Sequence, residues 1–541
     1  MSTGLLGRGA RAMASWSPVE RDAVLYAASA LFAIGTAQFA SISLYQQWGR
    51  LAVGPYAAGA VASAIAARRA RRHAPAAGGP VPVVDGGGGG GAAAHGGATW
   101  HWTTPRAVIF LVVLLGATLM PLSLEVLWRT DTGGTAHVQP EVAVVERSGV
   151  AFVNGQDPYR LIKPHQKVTV PAGEPTYDVY NPYLPLMSLF GGPRSTHASP
   201  RLTDARVAFS VFTILIVVIA MALCRGPTGP RVLALQSMTV LPTAALPLAT
   251  GGDDLPVAAL LLLGLVLLQR RKPLWAGVAL GIAASMKITA WPLAALAFLV
   301  ARDKSGARGR RPSLAVAVGI VGVMIPAVLP TATENLSAFI ENVVRFPLGL
   351  AGVSSPAASP LIGHFVVSLF PGIHRVFTVA VAGLGLLVLS YVLVRRRPTS
   401  PAALSRLVGW IMTVAILLAP ATRVGYLLYP VDFFVWAWLL RSEDTVDPPP
   451  DDAAGRRRPV PVGAADRGAL DRGEPGERTG PDGDGHTSPD GAFSGRGPAR
   501  DPGPDRNRVL TAQRQWLVQR LGQSWGSSGV SPGPTRRRAG A

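Results

Sequence analysis

Apolar stretches separated by short polar breaks run along most of this chain. Ten of them, at about 24–45, 51–67, 107–127, 207–224, 232–249, 255–268, 313–330, 376–394, 404–420 and 424–440, read as membrane-crossing helices. The first run follows Arg8, Arg11 and Arg21. It is longer than the apolar core of a signal peptide and a second run follows closely, so it reads as a retained helix. A further apolar segment, 274–300, is interrupted in AASMKITAWP (283–292) by Lys287. An ammonium at bilayer depth is costly and needs a partner or a task.

Composition agrees with a membrane protein: 49% of the 541 residues are hydrophobic and the mean hydropathy is +0.30 in spite of long Gly, Pro and Arg-rich segments. The net charge of +20 would suggest nucleic acid in a soluble protein. Here the basic clusters RRARRH (68–73), QRRK (269–272), ARDKSGARGRR (301–311) and RRR (395–397) border apolar runs. That is the positive-inside pattern, and no nucleic-acid partner is implied. The single cysteine, Cys224, excludes an internal disulfide and reads as inert packing.

With 68–73 in the cytoplasm, the first two runs form a hairpin and 107–127 leads to an external loop, 128–206. Run 207–224 returns, and 232–268 forms an external hairpin with GGDD (251–254) at its tip. Basic clusters flank 274–300 on both sides, so a single crossing would put two of them outside. Two short helices of about 20 Å each, dipping in and returning, keep both inside. The turn then falls at Lys287, in a hairpin tip buried in protein around a polar cavity.

The expected organisation is a cytoplasmic N-terminus (1–23), an extra transmembrane hairpin (24–67), a basic and Gly-rich cytoplasmic linker (68–106), a membrane domain (107–440) and a disordered cytoplasmic tail (441–541). Within the tail, 506–525 has the pattern of a basic amphipathic helix suited to anionic lipid. Both termini are placed in the cytoplasm, and the protein in the plasma membrane. The fold class is all-α, a polytopic membrane helix bundle with a re-entrant helical hairpin and an extracytoplasmic loop bearing the active site.

Candidate chemistry gathers on the outer face. The loop contains EVAVVERSGVAFVNGQDPYR (141–160) and YDVYNPYLPLMSLFG (177–191); further outer patches are 334–364 and ATRVGYLLYP (421–430). An acid shortly after an early membrane helix, then GQDPYR (155–160), YNPYLPLM (180–187), GGDDLP (251–256), KPLWAGVALGIAASMKITAWP (272–292) and TRVGYLLYP (422–430) resemble glycosyltransferase family 87 of the GT-C superfamily. The likeness covers roughly 107–440. It implies a metal-independent, inverting hexosyltransferase of mannosyltransferase type. Such an enzyme takes a polyprenyl-phosphate sugar as donor, a lipid or glycan as acceptor, and no cofactor.

Carried onto this chain, the resemblance places a base at Glu141, where the family has aspartate, with Glu146 and Asp131 in reserve. Lys287 and Arg423 would meet the donor phosphate, with Arg345 a weaker candidate, and Tyr159, Tyr180 and Tyr183 would shape the sugar subsite. Simpler readings stand beside these. Asp157 suits an Asx turn before Pro158, Asp253 and Asp254 suit a helix cap, and Lys287 suits an ion pair with an acid such as Asp254. His364 and His374 lack ligand spacing. A transporter or flippase and a silent scaffold of the same fold are the alternatives to an enzyme.

Overall fold

A computed structural model describes residues 16–73, 104–132, 135–159, 176–301, 310–351, 353, 357–395 and 397–444. Most of the expected linker, residues 160–175 of the expected external loop, and the expected tail from 445, with the segment 506–525 read as an amphipathic helix, lie outside the described residues. The described chain is helical, with one isolated bridge pairing Ala358 and Thr422. Among the described residues eight helical stretches are long and apolar enough to cross a membrane.

Helices α1 (Pro18–Phe39) and α2 (Ser43–His73) form the expected first hairpin. Ser17 and Glu20 start α1 with a reciprocal capping box. Helix α3 (Thr104–Val113) passes through a π segment (Leu114–Leu119) into α4 (Met120–Thr132), and α5 (Pro140–Val153) follows. Next come α6 (Ala205–Leu223), α7 (Thr228–Thr239), α8 (Pro242–Thr250) and α9 (Asp254–Gln269). The run expected at 232–249 is thus two helices, because Pro242 lacks the N–H that a continuous helix needs and instead opens α8 at its first turn.

Helix α9 is the hub. Nearly every residue from Asp254 to Leu268 is buried. At 16 residues it is shorter than a full crossing, a correction to its expected role as an ordinary span. Around it pack α6, α10 (Pro273–Ala284), α16 (Pro401–Leu418) and α17 (Leu428–Asp444). The apolar run expected at 424–440 begins in a 3₁₀ turn, Val424–Leu427, before α17 buries Tyr429, Phe433, Trp436 and Leu440 against the core.

The interrupted segment becomes α10 and α11 (Trp291–Val300), broken around Lys287. Helix α12 (Arg310–Glu334) fixes their directions. Gly277 lies against Val316 and Gly319, and Gly281 against Ile320 and Val323, so residue numbers rise together and α10 runs parallel to α12. Ser313 donates to the Phe298 carbonyl at 2.9 Å, which brings the end of α11 back to the start of α12. The two short helices therefore leave and return to one end of α12, with Lys287 at the turn. The remaining described helices are α13 (Leu336–Ile340), α14 (Ile362–Leu369) and α15 (His374–Arg395).

The two ends of α9 carry different chemistry. At its C-terminal end the Glu443 carboxylate accepts from the backbone N–H of Arg225 (2.6 Å), from that of Gly226 (3.1 Å) and from Arg270 (3.0 Å). Cys224 is buried beside it. At the N-terminal end lie GGDD and the Lys287 turn.

The close approach of α10 and α12 depends on Gly277, Gly281 and Gly319, a small-residue seam in which an added Cβ would meet the partner's backbone. Gly277→Val should cost about 1–3 kcal/mol through overpacking. Gly322→Ala, on the same α12 but with open space around it, should cost nothing. Thermal unfolding in detergent checks this pair; equal melting of Gly277→Val and wild type would overturn the seam.

Candidate functional site

The break between α10 and α11 leaves helix carbonyls without intrahelical partners, which low-dielectric surroundings make costly. The aromatic-Pro segment supplies them. The backbone N–H of Leu184 donates to Met286 O at 2.9 Å and that of Leu186 to Ser285 O at 3.0 Å. YNPYLPLM is thereby laid across the turn, with Tyr183 buried against Lys287, whose Nζ lies 5.4 Å from its ring centroid and 5.6 Å from that of Tyr426.

Lys287 is buried and paired. Its Nζ lies 2.6 Å from both Asp253 Oδ2 and Asp254 Oδ1, and Tyr429 donates to the same Asp254 oxygen at 2.7 Å. The GGDD turn makes this possible. Gly252 has φ +78°, a left-handed conformation that an L side chain resists, and a Cβ on Gly251 would overlap the Gln139 side chain. Asp253 occupies the N-cap position of α9 but makes no side-chain cap bond. The capping role expected for it is therefore corrected: burial of an ammonium nearby outweighs a cap and draws the carboxylate to Lys287.

A second charge pair faces the first. Pro140 at the first position of α5 sets Glu141 in the opening turn, where a carboxylate is favoured by the helix dipole. Glu141 Oε1 is bound by Arg423 from the turn before α17, and among the described residues its Oε2 has no hydrogen-bond partner. Burial works against the Arg423 charge, yet the Glu141 carboxylate prevails and holds the guanidinium's pKa above its ordinary value. Both pairs line one cavity of about 410 Å³, together with Tyr45, Gln139, Tyr177, Tyr180, Tyr183 and Tyr426. Apolar side chains of α16, among them Met412, Ala415 and Ile416, form another part of its wall.

The model of glycosyltransferase family 87 matches residues 182–420. The match covers less than half of the chain. The solved structure of ArnT from Cupriavidus metallidurans bound to undecaprenyl phosphate is similar at 13% identity with a TM-score of 0.39, over 63% of this chain. The chain spans 61% of ArnT's own length. No curated protein matches the sequence.

Of the residues singled out in the sequence, Tyr183, Asp253, Asp254 and Lys287 lie in the family 87 stretch, while Glu141, Tyr159 and Tyr180 precede it and Arg423 follows it. Glu141, Lys287, Arg423, Tyr180 and Tyr183 converge on the cavity. Tyr159 does not line it. It is buried, donates to Tyr183 O at 2.6 Å and packs edge-on against Phe339, a support for the wall that Tyr183 forms. Tyr180 stacks on Phe346 with ring centroids 4.6 Å apart.

The reserve acids are engaged elsewhere. Glu146 binds Arg129 and Arg194 and accepts from Ala205 N, while exposed Asp131 pairs with Arg201. Asp157 accepts from Tyr159 N at 2.9 Å, the Asx turn that its place before Pro158 suggests. Arg345 turns to Glu341, at 2.9 Å, and to Leu350 O. His364 Nδ1 lies 3.0 Å from Pro420 O. Among the described residues no three His, Cys, Asp or Glu side chains gather in metal-binding fashion.

Tyr45, Gln139, Tyr177 and Tyr426 also line the cavity without having been singled out. A signal for Tyr426 was present in TRVGYLLYP, three residues after Arg423. None was present for Tyr45, which sits in the hairpin read as an addition.

The paired state of Lys287 sets a stability expectation. Lys287→Met strands two buried carboxylates and should cost about 3–5 kcal/mol. Adding Asp253→Asn and Asp254→Asn should recover part of that loss. Thermal melts in detergent read both, and a Lys287→Met protein that melts like wild type would refute the pairing.

Proposed function

We propose that this protein is a membrane glycosyltransferase that moves a hexose, mannose by its family resemblance, from a polyprenyl-phosphate sugar to an envelope glycan or glycolipid. The observation that carries the reading is the Glu141–Arg423 pair in a cavity whose remaining walls come largely from family 87 sequence. That cavity lies within the usual range for small-molecule sites, roughly 300–1,000 Å³. Its aromatic side suits a sugar and its apolar α16 side suits the first units of a lipid chain. The positive-inside pattern puts it at the outer face of the plasma membrane, with both termini cytoplasmic.

In this reading the acceptor hydroxyl gives its proton to Glu141 as its oxygen bonds to the sugar's anomeric carbon. The bond from that carbon to the phosphate oxygen breaks, and its electron pair leaves with the lipid phosphate. One in-line displacement inverts the anomeric centre. Arg423 receives the growing phosphate charge. An ammonium has three donors, and Asp253 and Asp254 occupy two on Lys287, which leaves one for a phosphate oxygen. The family resemblance implies no metal or other cofactor for this step.

The test incubates purified full-length protein with radiolabelled polyprenyl-phosphate mannose and an envelope extract. Labelled product supports transfer. Movement of donor across vesicles without product supports a transporter or flippase, and neither outcome supports a silent scaffold. Glu141→Gln should lower turnover by about 10²-fold or more with the fold intact. Arg423→Gln should raise the donor KM at least about tenfold, the loss of one charge-assisted contact.

A further inference from the structure

The N-terminal hairpin lies outside the family 87 stretch, yet it reaches the reaction cavity. Tyr45, in the first turn of α2, lines the same cavity as Glu141, Lys287 and Arg423. Its hydroxyl accepts from Gln139 Nε2 at 2.5 Å, and the same amide donates to Thr250 Oγ1 at 3.1 Å. Gln139 is further tied by its own N–H to Thr250 O at 3.0 Å, and it is the N-cap residue of α5, two positions before Glu141. Because the phenol oxygen serves as acceptor, its proton remains to be donated, and among the described residues nothing accepts it.

The hairpin holds this position through directional buried contacts. Trp48 Nε1 donates to Ala117 O at 3.1 Å, and Tyr56 donates to Val240 O at 2.5 Å. Gln236 of α7 donates to both Asp22 and Tyr26 at 3.1 Å, and Arg106 binds Asp22 through two nitrogens. Five polar links from two helices, each lost if the hairpin slides, fix it far more narrowly than apolar contact with lipid-like neighbours would. An accessory anchor needs no such register. A cavity wall does.

We propose that the hairpin is a working wall of the reaction cavity and that Tyr45 determines acceptor specificity, donating its free hydroxyl to a sugar hydroxyl of the acceptor beside Glu141. Through Gln139 it also sets the entry of α5, which places it beside Glu141, the residue that meets the acceptor hydroxyl in that reading. The inference rests on the glycosyl-transfer reading and assigns to the acceptor a hydroxylated saccharide close to the reacting oxygen.

The test compares wild type, Tyr45→Phe and Tyr45→Ala in full-length protein, with polyprenyl-phosphate mannose as donor and octyl mannoside or octyl glucoside as acceptor. Tyr45→Phe keeps the ring and should raise the acceptor KM about tenfold, the worth of one hydrogen bond, with a much smaller change in donor KM. It should also bring the mannoside to glucoside preference closer to one. A merely structural role would alter kcat and stability without moving that preference. Unchanged acceptor KM and preference in an active Tyr45→Phe enzyme overturn the assignment. Equilibrium dialysis of labelled octyl mannoside separates this inference from the transfer reading. If wild type transfers nothing but binds the mannoside more tightly than Tyr45→Ala does, the sugar contact stands and the reaction is wrong; equal binding overturns the contact.

Discussion

The buried ammonium of Lys287, clasped by Asp253 and Asp254, is the constraint around which the cavity end of this bundle is arranged. A charge taken out of water this far demands opposite charge in contact, and a break that delivers a lysine to the core also exposes helix carbonyls. Each demand recruits a different piece of chain. The carboxylates require the GGDD turn, with Gly252 in a left-handed conformation and Gly251 bare of a side chain against Gln139. The carbonyls require two N–H groups from the segment holding Tyr183. Tyr429 ties α17 to Asp254, and Thr289 lies 2.8 Å from the same phenol. The cavity wall is thus the set of elements that must come together to solvate one lysine.

That arrangement was partly legible in the sequence, and the boundary between the legible and the hidden has a physical cause. Basic flanks on both sides of 274–300 indicated a turn near Lys287, because charge cannot be left on the wrong side of a membrane at small cost. Glycines before paired aspartates indicated a turn, and Asp before Pro indicated an Asx turn. Those signals are local. Which carboxylate meets which cation is settled by packing register across distant helices, such as the glycine seam joining α10 to α12, and no local pattern records it. Hence a turn at Lys287 could be expected from its neighbours in sequence, while Asp253 was read as a cap. For the same reason Glu141 and Arg423 were each singled out, but their mutual contact was not foreseen.

Tyr45 illustrates a different limit. The hairpin that carries it has the composition of any pair of apolar helices, and its importance lies in five polar side chains, Asp22, Tyr26, Tyr45, Trp48 and Tyr56, each of which finds a partner elsewhere. Buried polar groups inside an apolar bundle are costly unless satisfied, so their pairing fixes position rather than merely adding affinity. An addition to a domain that is docked in this way becomes part of the site it borders.

The charges in the cavity also bear on the order of events under the proposed reaction. Four carboxylates, Glu141, Asp178, Asp253 and Asp254, line it against two cations, Lys287 and Arg423. An arriving phosphate meets a surplus of negative charge, so beyond the one donor left on Lys287 it needs a cation that releases a carboxylate. Lys287 is gripped by two acids with its side chain 11% exposed, whereas Arg423 is held by one acid and is 27% exposed. Arg423 is therefore the cation that yields. A phosphate matches a guanidinium as well as a carboxylate does, so the exchange trades like for like rather than stranding a charge. The carboxylate set free is Glu141, whose second oxygen has no partner among the described residues. Once the guanidinium has turned to the phosphate, both Glu141 oxygens are open to the acceptor hydroxyl. Donor capture and readying of the base then become one event, and an acceptor that arrives before the donor finds Glu141 still engaged.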